Sequence, residues 1–210
     1  MSERAEVVAA FLAAHGWGGA VRRPLAEDAS FRRYERLTHG AERAVLMDAD
    51  PNQEDVRPFV RMARHLKGLG LSAPEIIAGD EAAGLVLEED LGDDTYTRVL
   101  DSGGDEGALY ATAVDLLIDL HRRRNAGPAG LPGYGNGRLL DEVFLLPQWY
   151  LPAMQGRPAS EAARLGYGEA WLSLFPMLHA QPRTLVLRDY HVDNLMVLPG
   201  RSGVAACGLL

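Results

Sequence analysis

The chain has 210 residues, 47% of them hydrophobic and 24% charged, with 21 basic against 29 acidic side chains and a formal net charge of −8. The acidic balance argues against a generic binder of nucleic acid or of anionic membranes, and the single cysteine, Cys207, excludes an internal disulfide and a cysteine-based zinc cluster. No run approaches the roughly 18 apolar residues of a membrane span, and the opening MSERAEVVAAFLAAHGW mixes acids and bases without a cleavage-type signal, so the expectation is a cytoplasmic protein of one domain or two small lobes.

The elements follow in chain order. Val7, Val8, Phe11 and Leu12 recur at helical spacing, and Gly16 stops that helix. FRRYERLT and RAVLMDA, joined at His39-Gly40, read as a hairpin. Asp50-Pro51-Asn52 opens a helix over roughly residues 53–69, whose apolar stripe holds Val56, Phe59, Val60, Met62, Ala63 and Leu66. PEIIAG and GLVLEE read as a second hairpin.

The second half is helical at first. DEGALYATAVDLLIDLHRRRN carries a stripe of Leu109, Ala113, Leu116, Leu117 and Leu120, and its basic end suits the helix dipole. After a Gly- and Pro-rich loop, residues 139–150 and about 160–180 read as two further helices. Then TLVL predicts a short buried strand, RDYHVDN a polar loop, LMVL a strand and VAACGLL another. That last apolar run stops at Gly208-Leu209-Leu210 with no polar tail, which reads as a sequence cut short.

The stretch Leu187-Arg188-Asp189-Tyr190-His191-Val192-Asp193-Asn194 holds the most chemistry. Phosphoryl transfer to a hydroxyl needs an acceptor for the hydroxyl proton and an oxygen ligand for Mg²⁺ beside the phosphates. An Asp and an Asn five positions apart on a short loop can supply both. On spacing alone the pair is better explained as two turn caps, and the expected strand–loop–strand setting is what favours catalysis.

With these residues in view, RDYHVDNLMVL resembles the catalytic loop of the aminoglycoside-phosphotransferase branch of the protein-kinase-like fold, most closely that of the anomeric sugar kinases acting on N-acetylmuramate and N-acetylglucosamine in cell-wall recycling. Asp28-Ala29-Ser30-Phe31-Arg32-Arg33-Tyr34 is similar to that family's phosphate-covering turn, and Leu87-Glu88-Glu89-Asp90-Leu91-Gly92-Asp93 to its inter-lobe hinge. The resemblance implies an α+β, protein-kinase-like two-lobe fold, with an antiparallel-sheet N-lobe over residues 1–90 and an incomplete helical C-lobe over 91–210 that carries the catalytic loop 187–194. It implies Asp189 as the general base and Asn194 as the ligand of Mg²⁺. ATP would meet Ser30, Phe31 and Arg32 at its phosphates, and the backbone of Glu88, Glu89 and Leu91 at its adenine. Ser30 serves equally well as a plain turn residue. Tyr190, His191, Trp149 and Tyr150 are candidates for a sugar pocket, although aromatics at helix ends more often belong to a core.

Three departures from the family stand out. Leu187 occupies the place of a supporting His, and Met47 or Asp48 that of the phosphate-binding Lys, with no Glu facing it from the centre of RPFVRMARHLKG. Arg32 or Arg33 could replace that clamp, or be solvated strand residues. The second Mg²⁺-binding Asp is expected just past Leu210, so these residues alone are expected to be a poor catalyst or none. Glu81, Glu88 and Glu89 read as ordinary surface or hinge acids, and Cys207 as an inert buried thiol. The readings that compete with a cell-wall amino-sugar kinase are an aminoglycoside- or choline-type kinase, an inactive nucleotide-binding module that works through a protein partner, and an α+β fragment with no function of its own. The sequence says nothing about oligomeric state.

Overall fold

The computed structural model of the chain describes residues 3–25 and 31–210. The first helix forms as α1 (Glu3–Ala14), burying Val8, Phe11 and Leu12. Strands β1 (Val21–Pro24), β2 (Arg32–His39), β3 (Glu42–Ala49), β4 (Ile76–Asp80) and β5 (Leu85–Glu89) make one antiparallel sheet in the order β1-β2-β3-β5-β4. Both hairpins expected from the pattern are present. The edge strand β1 left no such pattern, because all four of its residues are exposed and it closes on a proline.

Alternation divides the sheet into two faces. Leu37, Ala44, Leu46, Leu85 and Leu87 pack with Val8, Phe11 and Leu12 of α1. Met47, Ala49 and Val86 point the other way and pack with Val56 and Val60. Val60 lies on α2 (Arg57–Gly68), which is shorter than the expected span of 53–69. The Asp50 carboxylate accepts from the Asn52 N–H at 2.9 Å, and its carbonyl accepts from Gln53 and Glu54 at 2.9 Å. That turn closes on itself, and the helix starts only after Asp55 has accepted from the Arg57 N–H at 3.0 Å.

A further core joins α3 (Tyr96–Asp101), α4 (Glu106–Arg122), β6 (Leu195–Val197) and β7 (Cys207–Leu209) through Tyr96, Ala113, Leu116, Leu120, Leu195 and Leu209. Asp105 caps α4, accepting from the Ala108 N–H at 3.0 Å. Helix α3 was not read from the sequence; Thr95 caps it, accepting from the Arg98 N–H at 3.2 Å. Two terminal expectations are corrected. TLVL forms no strand, because residues 182–187 find no ladder partner among the described residues, and of the six only Leu185 is buried. VAACGLL splits into a 3₁₀ turn at Gly203–Ala206 and the strand β7, because its partner β6 has just three residues to pair with.

The chain divides into two compact units, Met1–Pro128 with Leu185–Leu210, and Ala129–Thr184. The second unit contains α5 (Asn136–Val143), a π-helical stretch Leu146–Tyr150, α6 (Leu151–Gln155) and α7 (Glu161–His179). The π stretch carries Pro147, which lacks the donor an α-helical ladder needs. Tyr167, Trp171 and Phe175 stack along one stripe of α7 at the four-residue spacing that brings helical neighbours together, with ring centroids 6.2 and 6.4 Å apart. Ser160 caps α7, accepting from the Ala163 N–H at 3.2 Å.

Gly84, in the β4–β5 turn, has φ +67°, and a Cβ there would overlap the Ala49 carbonyl oxygen. Gly84→Ala is therefore expected to lower unfolding free energy by at least about 2 kcal/mol in a urea titration.

Candidate functional site

The loop expected to carry the chemistry starts from a strained residue. Arg188 is the only non-glycine among the described residues with positive φ, at 62°, a conformation costing roughly 1–2 kcal/mol for a residue with a side chain. Asp189 follows on the surface, and its carboxylate makes no hydrogen bond or ion pair among the described residues. Residues Val192–Asn194 then form one 3₁₀ turn, with the Asn194 N–H donating to the His191 carbonyl at 2.9 Å. The Asn194 side chain folds back, and its Nδ2 donates to the Asp189 carbonyl at 3.0 Å. The same Nδ2 lies 3.2 Å from His191 Nε2, and His191 Nδ1 lies 3.4 Å from the Asp193 carboxylate. A neutral imidazole has one accepting nitrogen. The Asp193 N–H also lies 3.4 Å from Nδ1, so the two ring nitrogens face two N–H donors and a neutral ring accepts from one of them at a time. With Nδ2 so engaged, Asn194 Oδ1 has no donor among the described residues and is available to a cation.

Neighbouring elements hold this loop in place. The Tyr190 hydroxyl donates to the Ala113 carbonyl of α4 at 2.8 Å. Tyr190 and the fully buried Tyr96 both lie by the Cys207 thiol, and burial pushes the two phenols and the thiol up, so all three stay protonated. Tyr190 is thus committed to supporting the loop. Thr97 donates to the Asp193 carboxylate, and the Val197 N–H donates to the Asp94 carbonyl at 2.7 Å. His191 is exposed, as are Trp149 and Tyr150, which belong to the other unit.

At the end of β5 the expected hinge is pinned by charge. Asp90 has a nearly buried side chain and pairs with Arg36 of β2 at 2.7 Å. Arg36 also donates to Asp93 at 2.8 Å and to the Gly92 carbonyl at 2.9 Å. Burial alone would lower the Arg36 pKa; its bonds to Asp93 and Asp90 outweigh that and raise it. Glu89 binds Lys67 at 3.2 Å and Arg201 at 2.9 Å, and the Leu91 N–H has no partner among the described residues. Glu88 is not the surface or hinge-exposed acid expected. It is 5% exposed, on the α2 face of the sheet in a row with Val45 and Ile76, and its Oε2 is buried without a hydrogen bond among the described residues. Burial raises its pKa to about 8 against a weaker pull from Arg32.

Of the expected phosphate turn, Ser30 lies outside the described residues, and Phe31 is exposed. Arg32 shares the α2 face with Met47 and donates to Glu54 at 2.6 Å, its guanidinium carbon 5.6 Å from the Phe59 ring centre. Glu54 lies just ahead of α2 and outside the helix centre. Met47 is fully buried, whereas Asp48 faces α1 and is held by Arg4 at 2.9 Å. A cavity of about 690 Å³ opens among Arg4, Phe31, Arg32, Asp48 and Asn52, and neither Asp189, Asn194 nor the hinge lines it.

Residues 21–205 match the family model of the phosphotransferase enzyme family. The chain belongs to this family. An N-acetylmuramate/N-acetylglucosamine kinase of Caulobacter vibrioides is 34% identical over all of the chain and 67% of that relative. One of Pseudomonas aeruginosa is 39% identical over 91% of the chain and 56% of that relative. The chain thus spans from about half to two thirds of the length of such relatives. A solved choline kinase from Streptococcus pneumoniae, 11% identical, superposes with a TM-score of 0.60 over 99% of the chain and 68% of its own length. The family's fold is this α+β arrangement, with its antiparallel five-stranded sheet and helices.

The buried Glu88 has a consequence for stability. The unfolded chain releases this proton near pH 4.5, while the folded chain holds it to about pH 8. The unfolded state therefore binds fewer protons across that window, and native stability falls as pH rises through it. Glu88→Gln is expected to gain little at pH 5 and about 2–5 kcal/mol at pH 8.5, read from urea unfolding at the two pH values.

Proposed function

We propose that the chain carries the nucleotide-binding sheet and catalytic loop of an ATP-dependent kinase for the anomeric hydroxyl of N-acetylmuramate or N-acetylglucosamine. The observation that carries this reading is the loop itself. It presents an Asp189 carboxylate with no partner among the described residues, and an Asn194 amide whose nitrogen is held by the Asp189 carbonyl and whose oxygen has no donor among those residues. The relatives at 34% and 39% identity, both N-acetylmuramate/N-acetylglucosamine kinases, support the choice of acceptor.

In this reading Asp189 takes the proton of the sugar hydroxyl as that oxygen forms its bond to the γ-phosphorus, and the bond to the β-phosphate oxygen breaks to release ADP. Asn194 Oδ1 would hold Mg²⁺, which when bound neutralises charge on the phosphates. Adenine would lie along the backbone of Glu88, Glu89 and Leu91, where the Leu91 N–H is available. The triphosphate would approach Ser30, Phe31 and Arg32, with the guanidinium of Arg32 held by Glu54 in the role of the missing lysine. His191, exposed beside Asp189, is the better placed of the sugar-contact candidates within its own unit. We read residues 1–90 and 91–210 as the two lobes, and the setting as cytoplasmic.

The test is ATP consumption by a coupled assay with N-acetylmuramate, N-acetylglucosamine and choline as acceptors. Whatever turnover the chain sustains is expected with the amino sugars and not with choline, and Asp189→Asn is expected to lower it about 10²–10⁴-fold. Consumption that is indifferent to Asp189, or that follows choline, would overturn the assignment.

A further inference from the structure

The mechanism leaves one costly group unused. A buried carboxyl oxygen with no donor is expensive, and a strand position between Val45 and Ile76 would be filled more cheaply by an aliphatic side chain. Such unsatisfied groups in native proteins call for an explanation, and a ligand that satisfies them is one. Glu88 stands one residue before the end of β5 and three before Leu91, whose N–H is also without a partner among the described residues. Two unpaired polar groups thus flank the same short stretch, an acceptor on a side chain and a donor on the backbone.

Adenine has the complementary edge, with ring N1 as an acceptor and the exocyclic N6 amine beside it as a two-proton donor. A base whose N1 accepts from the Leu91 N–H turns its amine back toward the end of β5. Resting on the nucleotide-binding reading above, we propose that the Glu88 side chain is the residue that reads the N6 amine of the nucleobase, with Oε2 as the acceptor.

The group needs no ionisation for this. A neutral carboxyl keeps a carbonyl oxygen that accepts, so the proton that burial holds on Glu88 at neutral pH is compatible with the role. A glutamine offers the same acceptor, and a leucine offers none.

The experiment uses the full chain with Mg²⁺ and two nucleotides, ATP and purine riboside triphosphate, which differ only in the N6 amine. Binding is read by calorimetry for the wild type, Glu88→Gln and Glu88→Leu, with circular dichroism as the check on folding. The wild type is expected to prefer ATP by about tenfold or more. Glu88→Leu is expected to lose that preference through weaker ATP binding alone, with purine riboside triphosphate unchanged, and Glu88→Gln is expected to retain most of it. An equal loss for both nucleotides in Glu88→Leu, or an undiminished preference, overturns the proposal while leaving the nucleotide site standing. If Glu88→Leu does not fold, a Glu88→Gln protein with no preference for ATP over the riboside overturns it as well. Failure of the wild type to bind either nucleotide overturns the parent reading, and this proposal with it.

Discussion

The sheet and the candidate catalytic loop are held in a common frame by one arginine and the segment it grips. Arg36 reaches from β2 to Asp90, Gly92 and Asp93, so the chain leaving β5 is fixed within a few residues of the sheet. That segment then does for the loop what Arg36 does for it. The Asp94 carbonyl accepts from Val197, Thr95 bridges Met196, and Thr97 donates to Asp193. A guanidinium is suited to this because its donors are rigidly forked and its charge persists when partly buried. The pair with Asp90 is mostly shielded from water, so removal of either partner would leave an uncompensated charge.

The loop tolerates an unpaired carboxylate and a left-handed Arg188 because everything else about it is tied down. Tyr190 is anchored on α4, Asn194 on the Asp189 carbonyl, and Leu195 and Met196 in the core. Strain and unsatisfied polarity persist in a folded protein only where surrounding contacts determine the conformation. Glu88 belongs to the same class, an expensive group on an otherwise apolar strand face that cross-strand pairing on both sides prevents from turning away.

Much of this was legible beforehand where chemistry is local. The β2–β3 and β4–β5 hairpins, the apolar stripe of α4, and α1 all follow from periodicity and turn residues. The Asp189–Asn194 spacing was visible as well. Three features misled. TLVL has the composition of a strand but no partner, and pairing is a property of two segments. Asp50-Pro51-Asn52 has the composition of a helix start but spends its bonds on a turn of its own. Helix α3 is only six residues long, too short for a period to emerge, though Thr95 ahead of Tyr96 was a usable cap signal.

What the sequence determined by itself is the set of elements and the residue types available for phosphoryl transfer, because helical and strand periods, caps and turns act over a few neighbouring residues. Only the tertiary structure decided that Glu88 is buried without a partner among the described residues, that Tyr190 supports the loop from within, that Arg32 finds Glu54, and that Arg36 closes on Asp90 and Asp93. These pairings join residues 22 to 77 positions apart or depend on which face of a strand is covered, and no local pattern of side chains encodes either.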